Sequence, residues 1–106
     1  MSERRRFHRW TCQFSCKYGA TDLNQFGVLS NLSYGGARIS EVDVMPMEGV
    51  DIDLTIFPGG QGSGIHLKAH VSYVNPDGYF GVQFYLSPEE KSQILLPIFR
   101  GHMDKD

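Results

Sequence analysis

The chain has 106 residues, of which 41% are hydrophobic and 21% are charged, and its formal net charge is −2. This length allows one domain with a real hydrophobic core and excludes a second folded unit beside it. No apolar run approaches the roughly 20 residues that a membrane-spanning helix needs, so we expect no membrane insertion. The N-terminus is charged and lacks the apolar stretch of a secretory signal, which predicts a cytoplasmic protein.

The small net charge hides an uneven distribution along the chain. Residues 1–9 carry +3 and residues 10–106 carry −5. The charged residues of the first segment are Glu3, Arg4, Arg5, Arg6 and Arg9. A basic arm on an acidic body favours a local anionic ligand, because a long nucleic acid needs positive charge spread over a face. The alternative is an arm that only keeps the terminus solvated. We therefore predict a flexible arm over 1–9 and a single domain over 10–106.

Alternation of apolar and polar residues predicts the strands. From Trp10 to Tyr18 every second residue is apolar, a period of two that indicates a half-buried strand. The same alternation predicts strands at about 50–56 and 65–73, and the turn signals around them predict three more, at about 26–32, 37–41 and 79–86. The four glycines in 58–64 predict a loop, and Asn75-Pro76-Asp77-Gly78 predicts a tight turn.

One helix is predicted, near the C-terminus. Ser87 is suited to the N-cap, Pro88 to the first helical position and Glu90 to the third, where its carboxylate completes a capping box. Pro97 should end or kink the helix, which gives a range of about 88–96. Six short strands and one terminal helix predict an all-β fold, a six-stranded antiparallel barrel with the helix packed on one side.

The residues that commonly form active sites are scattered. Cys12 and Cys16 lie four apart in a strand, roughly 13 Å between Cα atoms, which is too far for a disulfide, so we predict two small core residues. His66 and His70 have the same spacing, and we interpret them as solvent-facing side chains without a shared metal. No residues can be assigned as nucleophile, base and electrophile, so we expect a protein that is not an enzyme and that carries no cofactor.

The arm offers two guanidinium groups close in sequence. Arg5 and Arg9 flank three residues just before the first strand, in a segment that can fold over a ligand. A guanidinium matches the O6 and N7 acceptors of guanine with two parallel hydrogen bonds, and it pairs with phosphate oxygens in the same way. Lysine lacks this fork. The arm therefore suits a guanine-containing or phosphorylated ligand.

A polar turn follows the second predicted strand. Asn31 and Ser33 bring an amide and a hydroxyl, and Gly35 and Gly36 let a ligand approach the backbone. Taken alone, a turn of this composition more often serves only to connect two strands than to bind a ligand.

The two motifs together resemble the PilZ family. That family is recognised by Arg-x-x-x-Arg followed by Asp/Asn-x-Ser-x-x-Gly, and the five matching positions here are Arg5, Arg9, Asn31, Ser33 and Gly36. The strand Tyr79-Phe80-Gly81-Val82-Gln83-Phe84 and the helix after it also look like this family. The resemblance implies a PilZ-like six-stranded barrel that binds the bacterial second messenger cyclic di-GMP.

The resemblance also implies residue roles. Arg5 and Arg9 should bind guanine Hoogsteen edges and phosphates, and the turn, with Asn31, Ser33, Gly35 and Gly36, should line the barrel side of the site. Arg4 and Arg6 are extra cations that would help if the ligand binds as a stacked pair of molecules. Tyr73 could stack on a guanine, although the alternation of its strand favours a buried core position. Asn31 replaces the commoner Asp and lacks the charge that would favour the N1 and N2 donors of guanine, so we expect a lower affinity for the same ligand.

Three functions remain open at this point. The first is a cyclic di-GMP receptor whose arm becomes ordered on binding and signals to a protein partner. The second is a nucleotide-independent PilZ-like adaptor in pilus, motility or exopolysaccharide machinery, although such members often lack the arginine motif. The third is a small barrel that binds single-stranded nucleic acid, against which the acidic body argues. We therefore expect cyclic di-GMP and a protein effector as partners, and neither DNA nor RNA.

Overall fold

A computed structural model describes residues 10–20, 23–58 and 64–102. Its elements are β1 (Trp10–Ala20), β2 (Leu23–Leu32), β3 (Gly36–Ser40), β4 (Asp51–Phe57), β5 (Ile65–Asn75), β6 (Tyr79–Phe84) and α1 (Pro88–His102). All neighbouring strands are antiparallel, and they close into a barrel in the order β1-β2-β3-β6-β5-β4, with β4 pairing onto β1. The predicted fold class is confirmed. Several strands extend two or three residues beyond the predicted limits, because backbone pairing such as Ala20 with Leu23 continues past the apolar alternation.

The core occupies the inside of the barrel. In β4, Ile52, Leu54 and Ile56 are buried while Asp51 and Asp53 are exposed, as the alternating pattern predicts. The other barrel strands contribute apolar side chains in the same way, among them the fully buried Leu29, Leu32, Ile39, Val71 and Phe80. Burying one such side chain contributes about 1.5–3 kcal/mol relative to leaving it exposed, so this interior is the main stabilising element.

The helix begins where the sequence predicts and ends later. The Ser87 backbone N–H donates to Glu90 Oε1 at 2.8 Å, and the Glu90 N–H donates to Ser87 Oγ at 3.1 Å, which is a complete capping box. The prediction of an end near residue 96 is wrong, because α1 continues through Pro97 to His102. A proline inside a helix removes one backbone hydrogen bond. Ile98, directly after the proline, is 2% exposed and belongs to the core, so its packing stabilises the continued helix.

A β-bulge in β5 changes which face of the sheet the following side chains occupy. Val71 pairs with Val82 and Tyr73 pairs with Gly81, so Ser72 is an extra residue between the two pairs. Val71 therefore points inward, but Tyr73 lies on the outer face with 36% of its surface exposed. The expectation of a core position for Tyr73 is wrong, since one inserted residue inverts the side-chain alternation that follows it.

Cys16 lies in the core and His66 lies at the surface, as predicted. Cys16 is buried, Cys12 is half-buried, and both are free thiols. Burial raises the pKa of Cys12 to about 11 and that of Cys16 to about 12. His66 is exposed and hydrogen-bonds to Thr55 on the neighbouring strand. Within the described ranges, no three His, Cys, Asp or Glu side chains are grouped to hold a metal ion, and no helix is long and apolar enough to cross a membrane.

Candidate ligand-binding surface

The polar turn between β2 and β3 is tightly closed. The Ser33 backbone N–H donates to the Gly36 carbonyl at 2.9 Å. The Ser33 hydroxyl oxygen lies 3.3 Å from the backbone nitrogens of both Gly35 and Gly36, so it accepts from two amides of the turn. Ser33 thus holds the turn in shape before any ligand arrives, and its hydroxyl fixes the direction of two backbone N–H groups.

Gly36 is required by the packing of the strands. A Cβ atom built at Gly36 would lie 2.0 Å from the carbonyl oxygen of Val82 on β6. The Gly35 carbonyl also accepts a hydrogen bond from the Phe84 N–H at 3.1 Å. This close approach joins the turn to β6, so the glycine of the motif has a structural role whatever it binds.

Four residues form a row across the outer face of the barrel. Asn31 on β2 pairs with Arg38 on β3, Arg38 pairs with Gly81 on β6, and Gly81 pairs with Tyr73 on β5. The neighbours of these residues, such as Leu32, Ile39 and Phe80, are fully buried, so the row faces outward. Directly paired residues have Cβ atoms about 4.5–5.5 Å apart. The row therefore brings a side-chain amide, a guanidinium and a phenol ring onto one surface.

Arg38 was missed by the sequence reasoning. Its guanidinium carbon lies 4.6 Å from the centre of the Tyr79 ring, a cation–π contact. Its Nε is buried, and no described residue accepts a hydrogen bond from it. The signal was present, because Asn31 and Arg38 are equally distant from the centre of the Ser33–Gly36 turn. If the hairpin is folded at the centre of that turn, Asn31 and Arg38 become paired residues on the two strands.

Tyr73 covers Gly81 on the outer face. A Cβ atom at Gly81 would lie 2.1 Å from Cε2 of the Tyr73 ring. The ring also meets Tyr79 edge-on, with centroids 6.4 Å apart and an interplanar angle of 85°. Tyr73 is thus a half-exposed aromatic beside Arg38 and Asn31, in a place where a flat ligand can stack.

The predicted site residues divide into two groups. Asn31, Ser33, Gly35, Gly36 and Tyr73 lie on the turn and the row just described. The four arginines of the arm, Arg4, Arg5, Arg6 and Arg9, lie outside the described residues. The first described residue is Trp10, whose backbone pairs with Leu32, the neighbour of Asn31. The arm is therefore covalently joined to the strand end that borders the row.

Comparison with known proteins identifies the family. The family model of the PilZ domain matches residues 3–99, nearly the whole chain. The chain belongs to the PilZ domain family. No curated protein matches it.

Solved structures with the same fold include several PilZ domains. The PilZ domain of YcgR from Escherichia coli, solved with c-di-GMP, is 20% identical, with a TM-score of 0.71 over 92% of this chain and 91% of that one. The PilZ domain of CeSA from a cellulose-synthesizing bacterium is 14% identical, with a TM-score of 0.69 over 89% and 96%. The inhibitor of motility MotI/DgrA of Bacillus subtilis is 16% identical, with a TM-score of 0.69 over 93% of this chain and 51% of that one. This chain thus spans about half the length of MotI/DgrA.

A second polar surface of this PilZ domain lies over β4 and β5. Asp51 Oδ1 accepts hydrogen bonds from His70 Nδ1 at 2.9 Å and from the Tyr85 hydroxyl at 2.8 Å, which lower the pKa of Asp51. Lys68 forms an exposed ion pair with Asp53 at 2.8 Å. These charged groups are paired with one another, whereas the buried Nε of Arg38 has no partner among residues 10–20, 23–58 and 64–102. An open depression of about 480 Å³ over β1, β4 and β5 contains none of the motif residues, so we take the row and the turn as the candidate site.

Proposed function

We propose that this PilZ domain is a receptor for cyclic di-GMP. The observation that carries the proposal is the outer-face row, which joins Asn31 of the motif to a guanidinium and to an exposed aromatic ring. Amide, guanidinium and aromatic groups are what a guanine base needs, because it offers acceptors at O6 and N7, donors at N1 and N2, and a flat face. The E. coli YcgR domain, to which the chain is similar, was solved with c-di-GMP and adds support.

The arginine arm supplies the remaining charge in this proposal. Cyclic di-GMP carries two phosphates and two guanines, and the row alone contributes one cation, Arg38. Arg5 and Arg9 of the Arg-x-x-x-Arg motif add two forked donors that pair bidentately with a Hoogsteen edge or a phosphate. Arg9 is bonded to Trp10, and Trp10 pairs with Leu32, the neighbour of Asn31, so the arm is joined to the barrel beside the site.

Asn31 sets part of the affinity. Its side-chain oxygen can accept from guanine N1 or N2, but an amide lacks the charge that makes such a bond strong. We expect Asn31→Asp to strengthen binding of cyclic di-GMP several-fold, since hydrogen bonds to a charged acceptor are about twice as strong as neutral ones.

Signalling would follow from ordering of the arm. When the ligand draws residues 1–9 onto the barrel, the surface near the end of β1 gains a fixed set of charges, and a protein partner can distinguish this surface from that of the free protein. The free energy available for the switch is limited to the difference in ligand affinity between the two arm states.

Isothermal titration tests the proposal directly. The purified chain is titrated with cyclic di-GMP, and GMP, cyclic GMP and a short oligonucleotide serve as controls. Saturable binding of cyclic di-GMP alone is the expected result. Arg9→Ala should weaken it by about tenfold or more, because one bidentate arginine–guanine pair contributes about 1–3 kcal/mol of discrimination. Arg100→Ala, an exposed arginine on α1, should bind as the wild type does.

A nucleotide-independent adaptor is the second candidate. Among the described residues, four large hydrophobic side chains stand exposed outside the row: Phe26 at 59%, Val44 at 54%, Met47 at 75% and Tyr85 at 54%. Side chains of this kind are favoured at the centres of protein interfaces. If the wild-type chain gives no heat and no competition at high ligand concentration, the receptor proposal fails and this candidate replaces it. Binding that grows with oligonucleotide length and falls steeply with salt would instead indicate single-stranded nucleic acid.

A further inference from the structure

We infer that Arg38, which is not part of either motif, is a ligand-binding residue of this domain and contacts a pair of adjacent acceptors on the nucleotide. The inference rests on the proposed function and adds a residue to that site. Four observations on described residues support it: the unpaired Nε, the stacking on Tyr79, the pairing with Asn31 and the exposure of the neighbouring ring.

The guanidinium has a donor without an acceptor. Arg38 Nε is buried and has no hydrogen-bond partner within the part of the chain that the structure describes. Buried donors are nearly always satisfied in folded proteins, because leaving one unpaired loses its bond to water without replacement. A bound molecule that presents an acceptor to Arg38 would remove this cost, so the free protein is poised to gain from binding.

A cation–π contact with Tyr79 holds the guanidinium in place. Its central carbon lies 4.6 Å from the Tyr79 ring centre. Tyr79 is itself fixed, since its hydroxyl accepts from Asn75 Nδ2 at 3.0 Å and its ring meets Tyr73 edge-on. A guanidinium stacked on a ring keeps its N–H groups in one plane and directs them outward from its edge. The fork is therefore pre-organised, and little entropy is lost when it binds.

The position of Arg38 places this fork at the motif. Asn31 pairs directly with Arg38 across the β2–β3 hairpin, and both side chains point outward. A ligand that touches the Asn31 amide therefore lies within reach of the guanidinium. On the other side of Arg38, Gly81 has no side chain, and the half-exposed Tyr73 ring follows it. The Tyr73 ring fills the space over Gly81, so its exposed part lies next to the guanidinium along the row.

The planar shape of the guanidinium limits which ligand groups Arg38 can bind. Its planar fork matches two adjacent acceptors, which cyclic di-GMP presents as guanine O6 and N7 or as two oxygens of one phosphate. A lysine at the same place would keep the positive charge and lose both the fork and the stacking geometry. Arg38→Lys is for that reason the most informative variant, and Arg38→Gln removes the charge as well.

Two measurements test the inference. The first is titration of the wild type, Arg38→Lys, Arg38→Gln and the control Arg100→Gln with cyclic di-GMP, with Tm recorded for each variant. The second is NMR of the wild type, in which the arginine Nε–H resonance of residue 38 is assigned by its loss in Arg38→Lys and followed during the titration. We expect affinity to fall about tenfold or more in both Arg38 variants, no change in Arg100→Gln, and a shifted and more slowly exchanging Nε–H at saturation.

A cyclic di-GMP analogue with 7-deazaguanine bases separates the two acceptors. It lacks N7 and keeps both phosphates. If its loss of affinity and that caused by Arg38→Gln are not additive, Arg38 contacts a guanine edge, and if they add, it contacts a phosphate. Either result supports a ligand contact only together with a moved Nε–H resonance in the titration.

Two outcomes would overturn the inference. If the wild type saturates with cyclic di-GMP but the Nε–H resonance does not move and Arg38→Lys binds equally well, Arg38 serves only to pack on Tyr79, and the receptor proposal stands without it. If the wild type shows no binding, the proposed function and this inference fall together. A variant that loses stability does not obscure the result, because the NMR measurement uses the unaltered chain.

Discussion

Replacing Gly36 with alanine tests the close approach between β3 and β6. The new Cβ would lie 2.0 Å from the Val82 carbonyl oxygen, whereas ordinary contact begins at 3.4 Å, so the two strands must separate by more than an ångström. Overpacking of this kind costs about 1–3 kcal/mol, and each backbone hydrogen bond broken by the movement adds about 1 kcal/mol. We expect the free energy of unfolding to fall by roughly 2–4 kcal/mol, which corresponds to a decrease in Tm of roughly 10–25 °C for a domain of this size.

Urea denaturation followed by far-UV circular dichroism measures this loss. Gly49→Ala is the matched control, since Gly49 has a φ of 91° but no atom within 4 Å of a new Cβ. That variant loses only the conformational advantage of glycine, about 1–2 kcal/mol. If Gly36→Ala unfolds within about 0.5 kcal/mol of the wild type, the steric argument is wrong. The measurement also matters for function, because a Gly36 variant that fails to bind ligand has not necessarily lost a ligand contact.

Three further predictions concern stability. Ser87→Ala should lower the free energy of unfolding by about 1 kcal/mol in thermal or urea denaturation, because it removes the N-cap of α1, and an unchanged value would contradict the capping box. Burial raises the pKa of Cys16 to about 12, so the thiol loses its proton at lower pH in the unfolded chain than in the folded one. The free energy of unfolding should therefore decline between pH 9 and 12 more steeply in the wild type than in Cys16→Ala. Urea titrations at several pH values measure this, and parallel profiles for the two proteins would refute it. Hydrogen bonds from His70 and Tyr85 lower the pKa of Asp51, so its contribution is present above the ordinary carboxyl pKa and is lost as the pH falls through the lowered value. Asp51→Asn should therefore show a flatter acid denaturation profile than the wild type by circular dichroism, and an equally steep one would count against these bonds.

The parts of the fold that depend on residues close together in the sequence were predictable. Period-two alternation located β1, β4 and β5, because each has one face in the core and one face outside, and turn signals located β2, β3 and β6. The Ser87 capping box depends only on residues three apart in sequence, and it formed as expected. The tight turn after β5 is also local, with the Gly78 N–H donating to the Asn75 carbonyl at 3.0 Å.

The parts that depend on tertiary packing were not predictable in the same way. The bulge at Ser72 has no marker in the sequence, yet it moves Tyr73 from the expected interior to the candidate site. The helix passes Pro97 because Ile98 packs into the core, a contact that no local rule contains. Arg38 is an ordinary outward-facing residue in the pattern of β3, and only the register of three strands shows that it lies beside Asn31 and Gly81.

The closed barrel limits how another protein can recognise this domain. Many domains bind extended peptides by adding a strand to an open sheet edge, where unpaired backbone groups provide most of the affinity. Each of the six described strands already pairs on both sides, so this surface offers no edge for strand addition. A partner must therefore read side chains on the outer face, and occupation of the row by a ligand would change which side chains it can reach.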